Sequence, residues 1–177
     1  MGGMESVFEA AGGSDGIGRL AQAWHQRVLQ DDVVSHAFSH GFHPDHTERL
    51  AAYWSEALGG PTTYSGSLGC ETEVVRMHSG KGPHDEMDRR AIECFDQALT
   101  DVGVVDDPLR SVLHVYFTWA TTTTMSGYHE SADDVPEGLT VPKWSWGGLV
   151  SPEPSGSPRQ RNHRSEDEPP GSRCSSG

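Results

Sequence analysis

Residues 73–87 of the chain are EVVRMHSGKGPHDEM, and this stretch places one histidine in a distinctive setting. His78 follows the apolar pair Val74 and Val75, and it precedes the turn-forming segment SGKGP at 79–83. A long helical pattern begins after that turn. His78 therefore lies on a stiff approach beside a flexible break, which makes it the first functional candidate among the ten histidines of the chain.

Helical periodicity extends through most of the chain on both sides of this stretch. Apolar residues recur at helical spacing, and no segment alternates like a strand between two turn signals. The predicted helical segments are 6–11, 15–30 with Ser14 as its N-cap, a short turn at 33–38, a helix from Pro44 or Asp45 to 58, 83–102 and 108–125. The sequence therefore predicts an all-α protein in which four main amphipathic helices pack in pairs.

The formal charge of −13 limits the partners of the protein. Residues 151–177 contain four basic and four acidic residues, so nine of the 13 basic and 22 of the 26 acidic residues lie before them. Such a surface repels nucleic acid and anionic lipid. The chain has neither an apolar run of about 18 residues nor the start of a secretory signal, so we expect a cytoplasmic protein that spans no membrane.

The C-terminal part of the chain differs in composition from the helical part. Residues 128–150 contain Pro136, Pro142, Trp144 and Trp146 and lack helical periodicity, which indicates an ordered extension packed on the helices. Residues 151–177 are rich in proline, serine and charge, with almost no large apolar side chain, which predicts disorder. The predicted organisation is a helical domain at 1–127, an ordered extension at 128–150 and a disordered tail at 151–177.

Three histidines occupy positions from which they can point into one cavity between crossing helices. His25 lies near the inward face of its helix, beside Trp24. His46 lies one turn before Leu50, at the start of another inward stripe, and His78 leads into the next long helix. Each histidine alone is equally compatible with a solvated or core position, but the three together indicate a pocket.

A second group of histidines lies close together in the sequence. Residues 36–46, HAFSHGFHPDH, contain His36, His40, His43 and His46. Imidazole binds zinc and nickel well, so this spacing is compatible with a metal site. The segment also has the glycine and proline of a loop and no cysteine, so solvated loop histidines are the alternative interpretation.

Several motifs, in order, resemble those of the truncated haemoglobins of group II. "FEAAGG" at 8–13 is similar to the family's double-glycine opening, and "LGGPTTYSG" at 58–66 is similar to its Gly-Gly-Pro break. "RMHSGKGP" at 76–83 resembles the segment that carries the family's haem-binding histidine, and "VPKWSWGGL" at 141–149 resembles an extension of related actinobacterial sequences. The resemblance covers residues 5 to 150 and implies a truncated globin fold, a two-over-two helical sandwich.

The resemblance implies that the cofactor is haem b and that His78 is its proximal iron ligand. Haem needs one fixed axial nitrogen and an apolar slot. Its propionates need cations or hydroxyl groups at the rim, for which Arg76, Lys81 and Tyr64 are the candidates. The side chains expected to line the slot are Phe38, Leu50, Trp54, Phe95, Val112 and Tyr116.

The distal side departs from the family pattern. His25 stands where the family usually has a tyrosine, His46 where it has alanine or threonine, and Ala91 where it often has tryptophan. The expected distal pocket therefore consists of His25, His46, Leu50 and Ala91, with two imidazoles and some free space in place of a hydroxyl and an indole. Either imidazole can donate to a bound ligand, and direct binding of one of them to iron is the alternative.

These features lead to two hypotheses for function. The first is a haem protein that binds O₂, NO and related diatomic ligands, with NO dioxygenation or peroxide reduction as an enzymatic variant that needs a separate reductase. It is expected to act as a monomer or homodimer. The second is a non-haem helical-bundle metalloprotein with His25, His46 and His78 as ligands. The sequence lacks the Glu-x-x-His pairs of di-iron bundles, which disfavours the second.

Overall fold

The fold was analysed in a computed structural model, which describes residues 3–151. The disorder predicted for the tail concerns residues that lie almost entirely outside this range. Within it the α-helices are α1 Val7–Ala10, α2 Gly13–Gln30, α3 His46–Ala57, α4 Glu71–His78, α5 Asp85–Asp101 and α6 Leu109–Trp119. Shorter elements are 3₁₀ turns at Val34–Phe38 and Ala132–Asp134, π turns at Tyr64–Leu68 and Ala120–Met125, and strands β1 Trp144–Ser145 and β2 Gly148–Leu149.

The long helices form two layers, as the predicted two-over-two sandwich requires. α2 packs on α3 in one layer, α5 packs on α6 in the other, and α2 crosses α5 between them. The predicted all-α architecture is confirmed. Side chains that are almost completely buried fill the space between the layers; they include Ile17, Leu58, Phe95, Leu99 and Leu113.

Aromatic rings occupy the centre of this core. Trp54 lies edge-on to Trp24, Phe95 and Phe117, with ring centroids 5.5 to 5.9 Å apart. Phe95 and Phe117 stack in parallel at 4.2 Å. Edge-to-face and offset ring pairs of this kind stabilise a core beyond the area they bury. Trp54 and Phe95 therefore pack between the helical layers.

Helix α4 is the main element that the sequence analysis did not predict. Only a short stiff approach, Val74–Met77, was expected, whereas the helix covers Glu71–His78. β-branched residues weaken its helical propensity. Charged side chains compensate, because Glu73 lies in the first turn and Arg76 in the last, where each sign is favourable.

Two predicted helix ends were also wrong. α2 begins at Gly13, preceded by Gly12 in the left-handed region at φ 95°, so Ser14 lies inside the first turn and is not the N-cap. The last long helix was expected to reach 125, but regular α-helix ends at Trp119 and continues as a π turn at Ala120–Met125. This turn contains four consecutive threonines, whose branched side chains favour a regular α-helix poorly.

Residues 128–150 form a strap across the helices. Trp144 packs on Tyr116 and Trp119, with ring centroids 5.8 and 5.3 Å apart. β1 and β2 pair antiparallel as a short hairpin, with Trp144 opposite Leu149. At the other end of the strap, Thr72 Oγ1 donates to the Pro136 carbonyl at 3.2 Å, so the segment is fixed to both ends of the helical core.

None of the helices within residues 3–151 is both long enough and apolar enough to cross a lipid bilayer.

Candidate functional site

His78 is the last residue of α4, and one of its ring nitrogens already has a partner. Its Nδ1 lies 2.7 Å from the Val74 carbonyl oxygen, one turn back in the same helix. A carbonyl can only accept, so Nδ1 carries the proton and Nε2 keeps a free lone pair. A backbone carbonyl bound to the far nitrogen is the usual way in which a protein orients a metal-binding imidazole.

His78 is surrounded by protein atoms although it is not fully enclosed. Part of the residue is accessible to solvent. Burial nevertheless lowers the pKa of its ring below 6.5, against the opposing effect of the Val74 hydrogen bond. His78 is therefore neutral at physiological pH, as a metal ligand must be.

His25 and His46 form a pair on neighbouring helices. His25 lies on the inward face of α2 and is 8% exposed, while His46 is the first residue of α3. Their ring centroids are 5.0 Å apart. Burial is the main cause that lowers the pKa of each ring, so both are neutral near pH 7.

The two rings also have nitrogens without a partner. His25 Nδ1 and His46 Nε2 are buried and make no hydrogen bond to any described protein group. Buried polar atoms in folded proteins are nearly always paired with protein, water or ligand. This pair of free nitrogens therefore indicates that a water molecule or a polar ligand belongs between the two histidines.

His46 is close enough to both other histidines to be affected by their charge. After burial, positive charge at His25 and at His78 further lowers the pKa of His46. The sequence suggested such proximity only from helical faces, and the three residues come from α2, α3 and α4.

Two phenylalanines enclose the histidine pair. The Phe38 ring lies 5.4 Å from His25 and 5.3 Å from His46, both edge-on. The Phe42 ring lies 4.7 Å from His25, although 49% of this residue remains exposed. Phe42 was missed in the sequence, where its only signal is an aromatic residue within a loop of polar side chains.

Other predicted pocket residues lie at the edge of the helical core. Leu50 and Val112 are partly buried against it, and Tyr116 is buried beneath Trp144. Ala91 is buried, and its carbonyl oxygen accepts a hydrogen bond of 3.1 Å from the Trp24 indole. The indole therefore occupies part of the space that was expected to be free beside this small side chain.

Two of the three predicted propionate contacts have other partners. Arg76 pairs with Glu137 of the strap at 2.6 Å. Tyr64 is 7% exposed and packs edge-on against Tyr53 at 5.3 Å. Their role at a cofactor rim stays a prediction that the contacts do not favour. Lys81 is exposed and close enough for its charge to lower the pKa of His78, so it fits that role better.

The non-haem hypothesis finds no support in the geometry. Across residues 3–151, no three His, Cys, Asp or Glu side chains come close enough together to share one metal ion. This contradicts both a site made of His25, His46 and His78 around a single ion and a site within the loop 36–46. Two surface clefts, of 390 and 550 Å³, contain none of the three pocket histidines in their linings.

A two-layer helical sandwich with one oriented imidazole on α4 and a pair of imidazoles on α2 and α3 is the arrangement expected of a truncated globin. The sequence agrees, because the profile of the bacterial-like globins matches residues 6–124. The chain therefore belongs to the bacterial-like globin family. The resemblance inferred from the motifs is confirmed.

Similar proteins include truncated haemoglobins of two groups. Group 1 truncated hemoglobin GlbN of Synechocystis sp. is 27% identical over 114 residues, which cover 63% of this chain and 90% of that protein. Haemoglobin of Chloroflexus aurantiacus is 28% identical, with a TM-score of 0.57 and coverage of 68% and 97%. Group II truncated hemoglobin of Bacillus anthracis is 21% identical, with a TM-score of 0.58 and coverage of 67% and 94%.

A globin is a haem protein, and the residues of this chain fit that cofactor. His78 offers one oriented nitrogen, as an axial ligand requires. His25 and His46 each have a buried nitrogen without a partner, which would be available to a polar ligand of the cofactor. Phe38 adds an apolar ring beside them.

Proposed function

We propose that the protein binds haem b through His78 Nε2 and that it binds O₂ and related diatomic ligands such as NO on the opposite side. The observation that carries this proposal is the hydrogen bond from His78 Nδ1 to the Val74 carbonyl. It fixes the tautomer with a free Nε2 and points that nitrogen away from α4. An axial ligand needs such an orientation.

The remaining pocket residues would act on the bound ligand. Haem supplies the iron at which a diatomic ligand binds. A neutral imidazole can donate one hydrogen bond, so either His25 or His46 can stabilise the partial negative charge on bound O₂. Phe38 and Phe42 restrict water around the pair, which strengthens that hydrogen bond.

The same pair supports redox chemistry as a second activity. Both imidazoles have lowered pKa values and an unpartnered nitrogen, so either can take up a proton from peroxide and return it. Peroxide reduction or NO dioxygenation would then need electrons from a separate reductase. Direct binding of His46 to iron is the alternative, and it would make the resting site six-coordinate.

Titration of the purified protein with haem tests the proposal. The full-length protein should develop a sharp Soret band, and His78→Ala should weaken haem binding strongly and change the ferrous spectrum. His114→Ala is the matched control, because His114 is paired with Asp96 on α5 and faces no cavity histidine. Added imidazole should restore a normal spectrum to His78→Ala, since it replaces the lost ligand. An unchanged spectrum and haem affinity in His78→Ala would refute the assignment.

A further inference from the structure

A buried tyrosine–glutamate pair lies outside the histidine pocket. Tyr53 donates its phenolic hydrogen to Glu71 Oε2 at 2.8 Å, and the two residues are 6% and 3% exposed. The second carboxyl oxygen, Oε1, is buried and has no hydrogen-bond partner. A buried carboxyl oxygen without a partner requires an explanation, and a redox or catalytic role is one of those known for such groups.

The position of the pair relates it directly to the haem site. Tyr53 lies seven residues after His46 on α3, and Glu71 lies seven residues before His78 on α4. Seven residues are close to two helical turns, so in each helix the two residues share a face and lie about 10 Å apart along the axis. On each of the two helices the pair is therefore separated from the histidine by about two turns.

The chemistry of the pair suits coupled loss of an electron and a proton. Burial is the first cause that raises the pKa of Tyr53 well above 10.0, so the phenol does not ionise by itself. Burial also raises the pKa of Glu71 to about 7, and the charge of Glu56 adds to this. At neutral pH a large share of Glu71 is therefore a carboxylate, at hydrogen-bond distance from the only proton that Tyr53 can release.

Other groups near the pair extend it toward the surface. Tyr64 packs on Tyr53 at 5.3 Å, and Tyr116 is close enough for the charge of Glu71 to raise its pKa. Beyond Tyr116 lies Trp144, with a ring separation of 5.8 Å, and then the partly exposed Trp119. These oxidisable rings connect the buried pair with the strap.

We propose that Tyr53 and Glu71 form a proton-coupled redox site that gives one electron to the haem pocket when a peroxide reacts there; this rests on the proposed haem binding. The peroxide-derived oxidant gains one electron, and Tyr53 loses it. The phenolic O–H bond breaks, an O–H bond forms at Glu71 Oε2, and a neutral tyrosyl radical remains. A phenolic one-electron donor from solution then reduces the radical, and the proton returns from Glu71.

Electron paramagnetic resonance tests this proposal on the haem-loaded, full-length protein. Samples are mixed with hydrogen peroxide and frozen, and ring-deuterated tyrosine identifies a tyrosyl signal by its narrowing. The wild-type protein should give this signal, Tyr53→Phe should lose it, and Tyr128→Phe, which alters a tyrosine of the strap, should keep it. Glu71→Gln should lower the yield several-fold, because an amide cannot accept the proton.

The pH profile separates a proton acceptor from a merely structural contact. In the wild-type protein the radical yield should rise as the pH passes through about 7, where Glu71 becomes a carboxylate. In Glu71→Gln it should stay low and flat, although glutamine keeps the shape of the side chain. A signal of full size in Tyr53→Phe would overturn the proposal.

Two further outcomes distinguish this proposal from the one above. A wild-type protein that binds haem and O₂ normally but forms no tyrosyl radical would overturn the redox site and leave the proposed function intact. Failure to bind haem would overturn both.

Discussion

Replacing Glu71 by glutamine should change how the stability of the protein depends on pH. The folded state raises the pKa of this carboxyl group from 4.5 to about 7. Between these values the folded chain holds a proton that the unfolded chain has lost, so folding is favoured most below 4.5. The stability that the protonated Glu71 carboxyl group provides at low pH is lost as the pH rises from 4.5 through about 7. Above that pH the stability changes little.

The size of the pKa change of Glu71 gives the magnitude of its effect on the free energy of unfolding. A rise from 4.5 to about 7, at about 1.4 kcal/mol for each pH unit, gives a destabilisation of about 3 kcal/mol at neutral pH. Glutamine cannot ionise, and its carbonyl oxygen can still accept the Tyr53 hydrogen bond. The variant should therefore gain up to about 3 kcal/mol relative to the wild-type protein between pH 4.5 and about 8.

Urea unfolding followed by far-UV circular dichroism measures this difference. Both proteins should carry haem to the same degree at each pH, because a ligand of the folded state adds its own stabilisation. Glu137→Gln is the control: Glu137 is a surface glutamate paired with Arg76, so its stability profile should stay parallel to that of the wild-type protein. Parallel profiles for Glu71→Gln would refute the reasoning, because they would show that burial does not raise the pKa of Glu71.

Further predictions concern the pocket and the strap. His25→Leu or His46→Leu should speed O₂ dissociation, measured by stopped flow, about fivefold if that imidazole donates to the ligand, since a hydrogen bond is worth about 1 kcal/mol. Rates unchanged in both variants would contradict donation by either ring. Ala91→Trp should cost about 1–3 kcal/mol in urea unfolding, because an indole already lies against Ala91; unchanged stability would show that the space is open. Lys143→Ala should cost about 1–3 kcal/mol, since it removes the ammonium partner, 3.1 Å away, of the buried Glu56 carboxylate. Equal melting temperatures would contradict this.

The fold could be predicted from the sequence because apolar residues recur at helical spacing in the long helices. α2, α5 and α6 each place apolar residues at regular spacing, and glycine or proline marks the breaks between helices. α4 is different. It has eight residues, too few for a clear period, and the packing of Val75 in the core and the pairing of Glu71 with Tyr53 hold it in place. These are tertiary contacts that no local pattern records.

The site was only partly predictable for a similar reason. His78 could be singled out by its motif, and His25 and His46 by their places on inward helical faces. Phe42 lies in an irregular loop, where contacts depend on backbone conformation and not on spacing. Tyr53 and Glu71 were missed because glutamate is normally a surface residue, so only a structure reveals that it is buried.

The hydrogen bond of 2.7 Å from the Trp146 indole to the Glu5 carbonyl joins residues 141 positions apart. The two ends of the described part of the chain are therefore in contact with each other. A short linker between residues 5 and 146 would allow the backbone to be opened elsewhere, for example in the exposed turn 105–108 between α5 and α6. Every packed pair of helices would survive this change in the order of its elements.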